Sequence, residues 1–264
     1  MNASPVLYEL HGSSARITIN RADRRNALNT AVADGIITAL DHAEADSACR
    51  SIVLTGAGDR AFCAGGDLSK DRSGTPFEID YANPRNFVVT LLRRIISCRL
   101  PVIARVNGAA LAGGFGLFCA CDMAIAVDSA LFGTPESRIG IFPMMILPHM
   151  LRVVPTRHLM EMSITGEPID AQKAFQIGLV NYVVPAAELD SKTDWLCDRI
   201  ARSAPAGIRL GKMAMTAMGD MTVEQSLEYA QVMLQNLFST ADATEGMRSF
   251  QEKRKPAWAP PSTP

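Results

Sequence analysis

Two glycine-rich turns concentrate the chemistry of this chain: Phe62-Cys63-Ala64-Gly65-Gly66-Asp67 and Asn107-Gly108-Ala109-Ala110-Leu111-Ala112-Gly113-Gly114-Phe115-Gly116. Each follows an apolar run that reads as a strand, and the second opens a helical stretch. A carbonyl on its way to an enolate needs two converging backbone N–H donors. Glycine allows the close approach and the turn without a Cβ clash. Where the second turn begins a helix, its unbonded amides and the positive end of its dipole face the same developing charge. The pair predicts an oxyanion hole.

An oxyanion hole needs a proton-transfer partner, and one candidate, which read alone could equally be a surface glutamate at a helix start, is Glu136 in Phe132-Gly133-Thr134-Pro135-Glu136. Pro135 fits a helix start or tight turn. Phe132 and Ile139-Gly140-Ile141-Phe142 surround the glutamate with apolar side chains, which disfavours its ionised form and raises its pKa toward the range useful for proton transfer. The other reactive side chains offer less. His158 and Glu161 have H-x-x-E spacing without a third ligand, His149, His11 and His42 have no partner in the sequence, and Cys119-Ala120-Cys121 is not a C-x-x-C motif. No metal site is expected.

These residues must be positioned by alternating strands and helices. Val6 to Leu10 and Ala15 to Asn20 flank His11-Gly12-Ser13-Ser14 as a hairpin. Asn29-Thr30 opens a helix with Val32, Ile36, Ile37 and Leu40 on one face. Ser51 to Thr55, Val102 to Val106 and Ala124 to Val127 read as buried strands, and the first two lead into the glycine turns. Phe87 to Ile96 reads as a helix, while the polar stretch 71–84, with Gly74, Pro76 and Pro84, predicts a mobile loop at the mouth of the site. The recurring order of strand, turn and helix predicts stacked ββα units rather than a doubly wound nucleotide-binding sheet. Beyond Pro185 only helices are expected, over 189–203, 208–218, 223–238 and 240–253. Met213, Ala217, Leu227, Val232, Leu234 and Phe238 give them apolar faces suited to another subunit.

Composition sets the frame for these readings. With 264 residues and 48% hydrophobic content, the chain suits one α/β core with a smaller appendage. The 26 basic and 27 acidic residues leave a net charge of −1. No global field would draw nucleic acid or an anionic membrane, and Arg93, Arg94 and Arg99 form only a small basic cluster. No apolar run reaches the length of a bilayer span. Met1-Asn2-Ala3-Ser4-Pro5 lacks the basic start and apolar core of a signal peptide. The six cysteines are therefore expected to be reduced thiols of a cytoplasmic protein.

Taken together, several segments resemble the crotonase superfamily, the enoyl-CoA hydratase/isomerase family, in order and over nearly the whole chain. They are the two turns, Asn26-Ala27-Leu28 after Arg24-Arg25, the Phe132 to Glu136 segment, and the closing Phe250-Gln251-Glu252-Lys253-Arg254-Lys255 run. The resemblance implies an α/β fold: a crotonase-like spiral of ββα units over 1–203 holding an acyl-CoA site, and an all-helical oligomerisation region over 204–264. It also implies a homotrimer or a dimer of trimers. It assigns the thioester oxygen to the amides of Gly66 and Gly113 and the acid/base role to Glu136.

Coenzyme A arrives as part of the substrate, so no separate cofactor is expected. By the same resemblance, Arg24 and Arg25 lie near its phosphates, the backbone around Ala64 near its adenine, and Phe250 with Lys253 against the nucleotide of a neighbouring subunit. Family hydratases that use two glutamates carry the first where Gly116 stands here. With one carboxylate, movement of a double bond along the acyl chain is better supported than syn-addition of water. Phe115 is expected to add apolar bulk at that point, and 71–84 together with Phe142-Pro143-Met144-Met145-Ile146 to wall the acyl chain. A single-glutamate hydratase, another lyase of the family, and a non-catalytic acyl-CoA or RNA binder are the alternatives.

Overall fold

The computed structural model describes residues 4–68, 81–82 and 84–260. Most of the expected loop, 71–80 and 83, lies outside the described residues. The chain opens with β1 (Val6–His11) and β2 (Ser14–Ile19), an antiparallel hairpin closed by His11 opposite Ser14, with Gly12 at φ 59°. Helix α1 (Thr30–Ala45) begins where the Asn29 side chain accepts the Val32 N–H at 3.0 Å. Such a cap satisfies one of the four amides a helix start leaves unbonded. Its inner face buries Val32, Ala33, Ile36, Ala39, Leu40 and Ala43.

Three units with a common rhythm follow. The first runs β3 (Ser51–Gly56), β4 (Ala61–Cys63) and α2 (Phe87–Ile96). The second is β5 (Val102–Val106), β6 (Ala109–Leu111) and α3 (Gly113–Cys119). In the third, β7 (Met123–Val127) and β8 (Leu131–Gly133) lead into a 3-10 turn (Pro135–Ile139) and then α4 (Leu147–Val153) and α5 (Thr156–Thr165). The first strand of each unit joins a six-stranded sheet, order β1-β2-β3-β5-β7-β10, and the second joins a four-stranded sheet, order β4-β6-β8-β9. The remaining members are β9 (Ile169–Asp170), α6 (Ala171–Gln176) and β10 (Tyr182–Val184). From β2 through β10 the large sheet is parallel, and all six residues of β3 are buried, as in a parallel strand covered on both faces. This is the expected ββα stacking. The small sheet was not anticipated, because its strands are only two or three residues long and coincide with segments read as turns.

The chain closes with α7 (Leu189–Ala201), α8 (Pro205–Met218), α9 (Val223–Phe238) and α10 (Ala241–Gln251). The last three bury only Met233 and Ser249. They are fastened to the core by polar ties: Lys212 Nζ donates to Leu100 O at 2.9 Å and pairs with Asp122 Oδ2 at 2.6 Å. Trp258 Nε1 donates to Arg202 O at 3.3 Å. Of the small basic cluster, Arg94 bridges Asp41 (2.7 Å) and Glu44 (2.6 Å), and Arg99 reaches Glu44 at 3.3 Å. Acids of α1 thus balance two of its three cations. Among the described residues, no helix is long and apolar enough to cross a membrane.

Candidate active site

Two buried asparagines shape the approach to the first glycine turn. Asn26, at φ 57°, donates through Nδ2 to Ala57 O (3.0 Å) and Ala61 O (2.8 Å), and its Oδ1 accepts the Arg21 N–H at 3.1 Å. Asn107 donates to Gly56 O (2.9 Å) and Gly58 O (2.7 Å) and accepts the Gly56 N–H at 3.2 Å. Together they hold the link between β3 and β4 against the start of the second turn. Buried amide side chains with this many partners fix a loop as regular structure would.

The first turn is then held by a neighbouring segment. The Leu28 N–H donates to Gly65 O at 2.7 Å, and Leu28 O accepts the Asp67 N–H at 2.8 Å. These two bonds straddle Gly66 in a parallel bridge. The Gly66 N–H itself, among the described residues, meets no acceptor. Beside the bridge, Arg21 Nη2 pairs with Asp67 Oδ2 at 2.7 Å and Nη1 donates to Ala27 O at 2.7 Å.

The second turn carries a strained residue. Ala112 has φ 50° and ψ −129°, a conformation that L-residues other than glycine rarely adopt. It is held there by its N–H, which donates to Gly133 O at 2.9 Å, and by its carbonyl, which accepts the Phe115 and Gly116 N–H groups at 2.9 and 3.2 Å. Gly113, the first residue of α3, likewise has an N–H without an acceptor among the described residues. A methyl group on Gly113 would lie 3.5 Å from Gly66 N, so the two unbonded amides are neighbours. Gly65 has φ 103°, and a methyl on it would lie 2.7 Å from Ala112 Cβ. Here glycine is required by both conformation and space.

These elements enclose a cavity of about 390 Å³ lined by Gly66, Gly113, Ala64, Glu136 and a largely apolar wall that includes Leu28, Val88 and Phe142 to Ile146. Glu136 sits in the 3-10 turn after β8 and is 9% exposed, and its Oε2 is buried with no hydrogen-bond partner among the described residues. Burial pushes its carboxyl pKa up, and a backbone N–H offsets part of that rise. A buried carboxylate with an unused oxygen, opening onto the same cavity as two unused amides, can take a proton from a carbon next to a carbonyl whose oxygen the amides hold.

The structure therefore brings four sequence-predicted residues to one cavity: Gly66, Gly113, Ala64 and Glu136. The Ala64 N–H is itself taken by Arg25 O at 3.0 Å. Arg24 and Arg25 stand exposed at the end of the turn Ala22–Arg24 and do not line the cavity; neither do Phe250, 85% exposed, and Lys253, at φ 52°, which lie at the end of α10. Among the described residues no group of histidine, cysteine, aspartate or glutamate could hold a metal ion. Sequence reasoning passed over Arg21, Asn26, Asn107 and Ala112, which position the site without touching a reacting atom. Asn26, Asn107 and Ala112 lay within quoted motifs and Arg21 did not.

One expectation is corrected. Phe115 adds no bulk at the site: it is fully buried, its ring 5.7 Å from that of Phe118 and 6.5 Å from that of Phe132, in the core beneath α3. Successive residues of a helix point to different faces, so Phe115 and Gly116 cannot share one wall. The bulk beside Gly116 comes instead from Ile146. A Cβ on Gly116 would lie 2.5 Å from Ile146 Cβ and closer still to its Cγ2.

Residues 9–261 match the model of the enoyl-CoA hydratase/isomerase family. The chain is 34% identical over 259 residues to a short-chain-enoyl-CoA hydratase of Clostridium acetobutylicum, covering 97% of each chain. It is similar to the crystal structure of an enoyl-CoA hydratase from Bacillus anthracis, with TM-score 0.87, 31% identity and 97% and 99% of the two chains covered. A second similar structure is an enoyl-CoA hydratase from Mycobacterium smegmatis, with TM-score 0.88, 29% identity and 96% and 98% covered. The mixed α/β fold expected from the sequence is shared with both structures.

Proposed function

This chain belongs to the enoyl-CoA hydratase/isomerase family, and from that premise we propose that it moves the double bond of an enoyl-CoA thioester through an enolate. The Gly66 and Gly113 amides hold the thioester oxygen. Glu136 removes a proton from C2 of a 3-enoyl-CoA, the enolate spreads the charge toward the carbonyl, and Glu136 returns the proton at C4 to give the 2-enoyl isomer. The observation that carries this reading is the inventory of the cavity wall: among the described residues lining it, Glu136 is the one carboxylate. Removal and return of one proton needs a single group with a pKa near the working pH, whereas addition of water asks for a base at the water and an acid at C2.

Hydration by Glu136 alone is the second reading, favoured by the names of the similar proteins. The two separate in heavy water. With panels of 2-enoyl- and 3-enoyl-CoA esters, isomerisation incorporates deuterium without adding the mass of water, and hydration adds it. Rapid hydration without double-bond movement would overturn the first reading.

The Gly116–Ile146 contact yields a linked prediction. Gly116→Glu alone is expected to lower Tm and to leave hydration of a short 2-enoyl-CoA unchanged, because the new side chain meets Ile146. Gly116→Glu combined with Ile146→Ala is expected to raise hydration, since the second carboxylate then has room to orient a water. The decay of the enoyl-thioester absorbance measures both.

For coenzyme A, the reading gives Arg24 and Arg25 the phosphates, the backbone at Ala64 the adenine, and Phe250 with Lys253 the nucleotide of an adjacent subunit. It makes helices α8 to α10, within 204–264, the assembly surface of a trimer or a dimer of trimers. Met213, Leu227, Val232, Leu234 and Phe238 are each more than half exposed there, which supports this role. Light scattering is expected to give three or six times the 28.4 kDa chain mass. A single-chain mass at micromolar concentration would contradict it. The free thiols of all six cysteines support a cytoplasmic setting.

A further inference from the structure

Gly116 lies three residues beyond Gly113 on α3, so the two share a helix face and are about 4.5 Å apart along the axis. That is the reach of the first few acyl carbons past a carbonyl held at Gly113. At this depth the helix offers no side chain, and Ile146 fills the space, with its Cβ 2.5 Å from where a Cβ on Gly116 would stand. Ile146 is 3% exposed yet lines the cavity, whereas Met144, farther along the same wall, is 66% exposed. The two side chains differ in kind as well as place. Methionine is unbranched and adapts its shape to what it meets, while a β-branched isoleucine is stiff at χ1. A buried, stiff side chain seated on bare backbone cannot withdraw from an incoming methyl group without disturbing α3.

We infer that Ile146 is a specificity-determining residue of this cavity: packed on Gly116, it admits acyl-CoA esters unbranched near the thioester and excludes those with a methyl at C3. The inference rests on the reading of the cavity as an acyl-CoA site, but it does not depend on which reaction occurs there. The selection is steric, made by one side chain on the wall formed with α3, and it acts before any proton moves.

Saturated esters test it, because they can neither isomerise nor be hydrated. Binding of butanoyl-CoA and 3-methylbutanoyl-CoA to the full-length protein is measured by titration calorimetry, with thermal melts as the folding control. The wild-type protein is expected to prefer the straight chain by about tenfold or more. Ile146→Val removes one methylene-sized group and is expected to narrow the ratio about fourfold, as one buried CH₂ would. Ile146→Ala is expected to abolish the preference. Should the alanine variant fail to fold, the valine variant decides. A ratio unchanged by the substitutions, or a wild-type protein indifferent to the branch, overturns the inference alone. Failure of every CoA ester to bind overturns both the inference and the acyl-CoA reading beneath it.

Discussion

Glu136→Gln is expected to lower kcat by about a hundred- to ten-thousandfold, the usual contribution of a positioned general acid or base, while the Kd for a CoA ester stays nearly unchanged. The amide is close to the carboxylate in shape and differs chiefly in being unable to take the proton, so the loss belongs in kcat. Wild-type kcat in the variant would remove Glu136 from the mechanism. The pH dependence has a definite sign. Burial holds the Glu136 carboxyl above its ordinary value, and the group must be ionised to act as the base. Activity of the wild-type enzyme is therefore lost, as pH falls, at a higher pH than an exposed glutamate would give. Stability runs the other way. A carboxyl whose folded-state pKa is raised contributes stability that is fully present below the unfolded value, about 4.3, and is lost as pH rises through the folded one. The inactive Glu136→Gln protein is thus expected to melt above the wild type at neutral pH, with the gap closing in acid. A melting difference independent of pH would count against the burial argument.

The second large effect is expected at Gly113. A methyl group there makes only ordinary contacts, 3.5 Å from Gly66 N and 3.6 Å from Leu28 Cδ1, and the residue does not occupy the left-handed region. Gly113→Ala should therefore fold with a Tm close to that of the parent. The same methyl stands beside the point where an oxygen must lie about 2.9 Å from both nitrogens to accept two hydrogen bonds. Loss of one such bond costs about a hundred- to a thousandfold in turnover, and kcat/KM is expected to fall by that order. Unaltered kcat/KM in a folded Gly113→Ala protein would show that the substrate oxygen sits elsewhere. Because the fold is preserved, this variant is a cleaner probe than proline at either glycine.

Much of this candidate site was legible because the residue types that form it are distinctive. Glycine at positions 65, 66 and 113 and a proline-preceded glutamate at 136 are visible as letters, and the long apolar strands before the turns are visible as β-branched runs. The small sheet was hidden for a physical reason. Strands of two or three residues such as β4, β6 and β9 carry too few side chains to show a period of two. The positioning residues were hidden for another. Asn26 and Asn107 act by bonding to backbone carbonyls between positions 56 and 61, and nothing in an asparagine's neighbours along the chain says which distant carbonyl it will find. Ala112 was passed over because an alanine gives no sign of a positive φ. Phe115 was misplaced because adjacency in sequence was read as adjacency in the pocket, although the helix turns it into the core beside Phe118 and Phe132.

The bridge at Gly66 also bears on how the protein reaches its working state. Its two bonds come from Leu28, the facing amide belongs to the turn at Gly113, and that turn is pinned by Gly133 O through Ala112. Segments spread over more than a hundred positions of the chain must meet before the two amides converge, so no single repeat unit holds both in place. Loop closures of that span are paid before their contacts are gained, and they slow the step that makes them. During refolding, helical signal should consequently return ahead of turnover, and the recovery of turnover marks the moment at which the short strands dock.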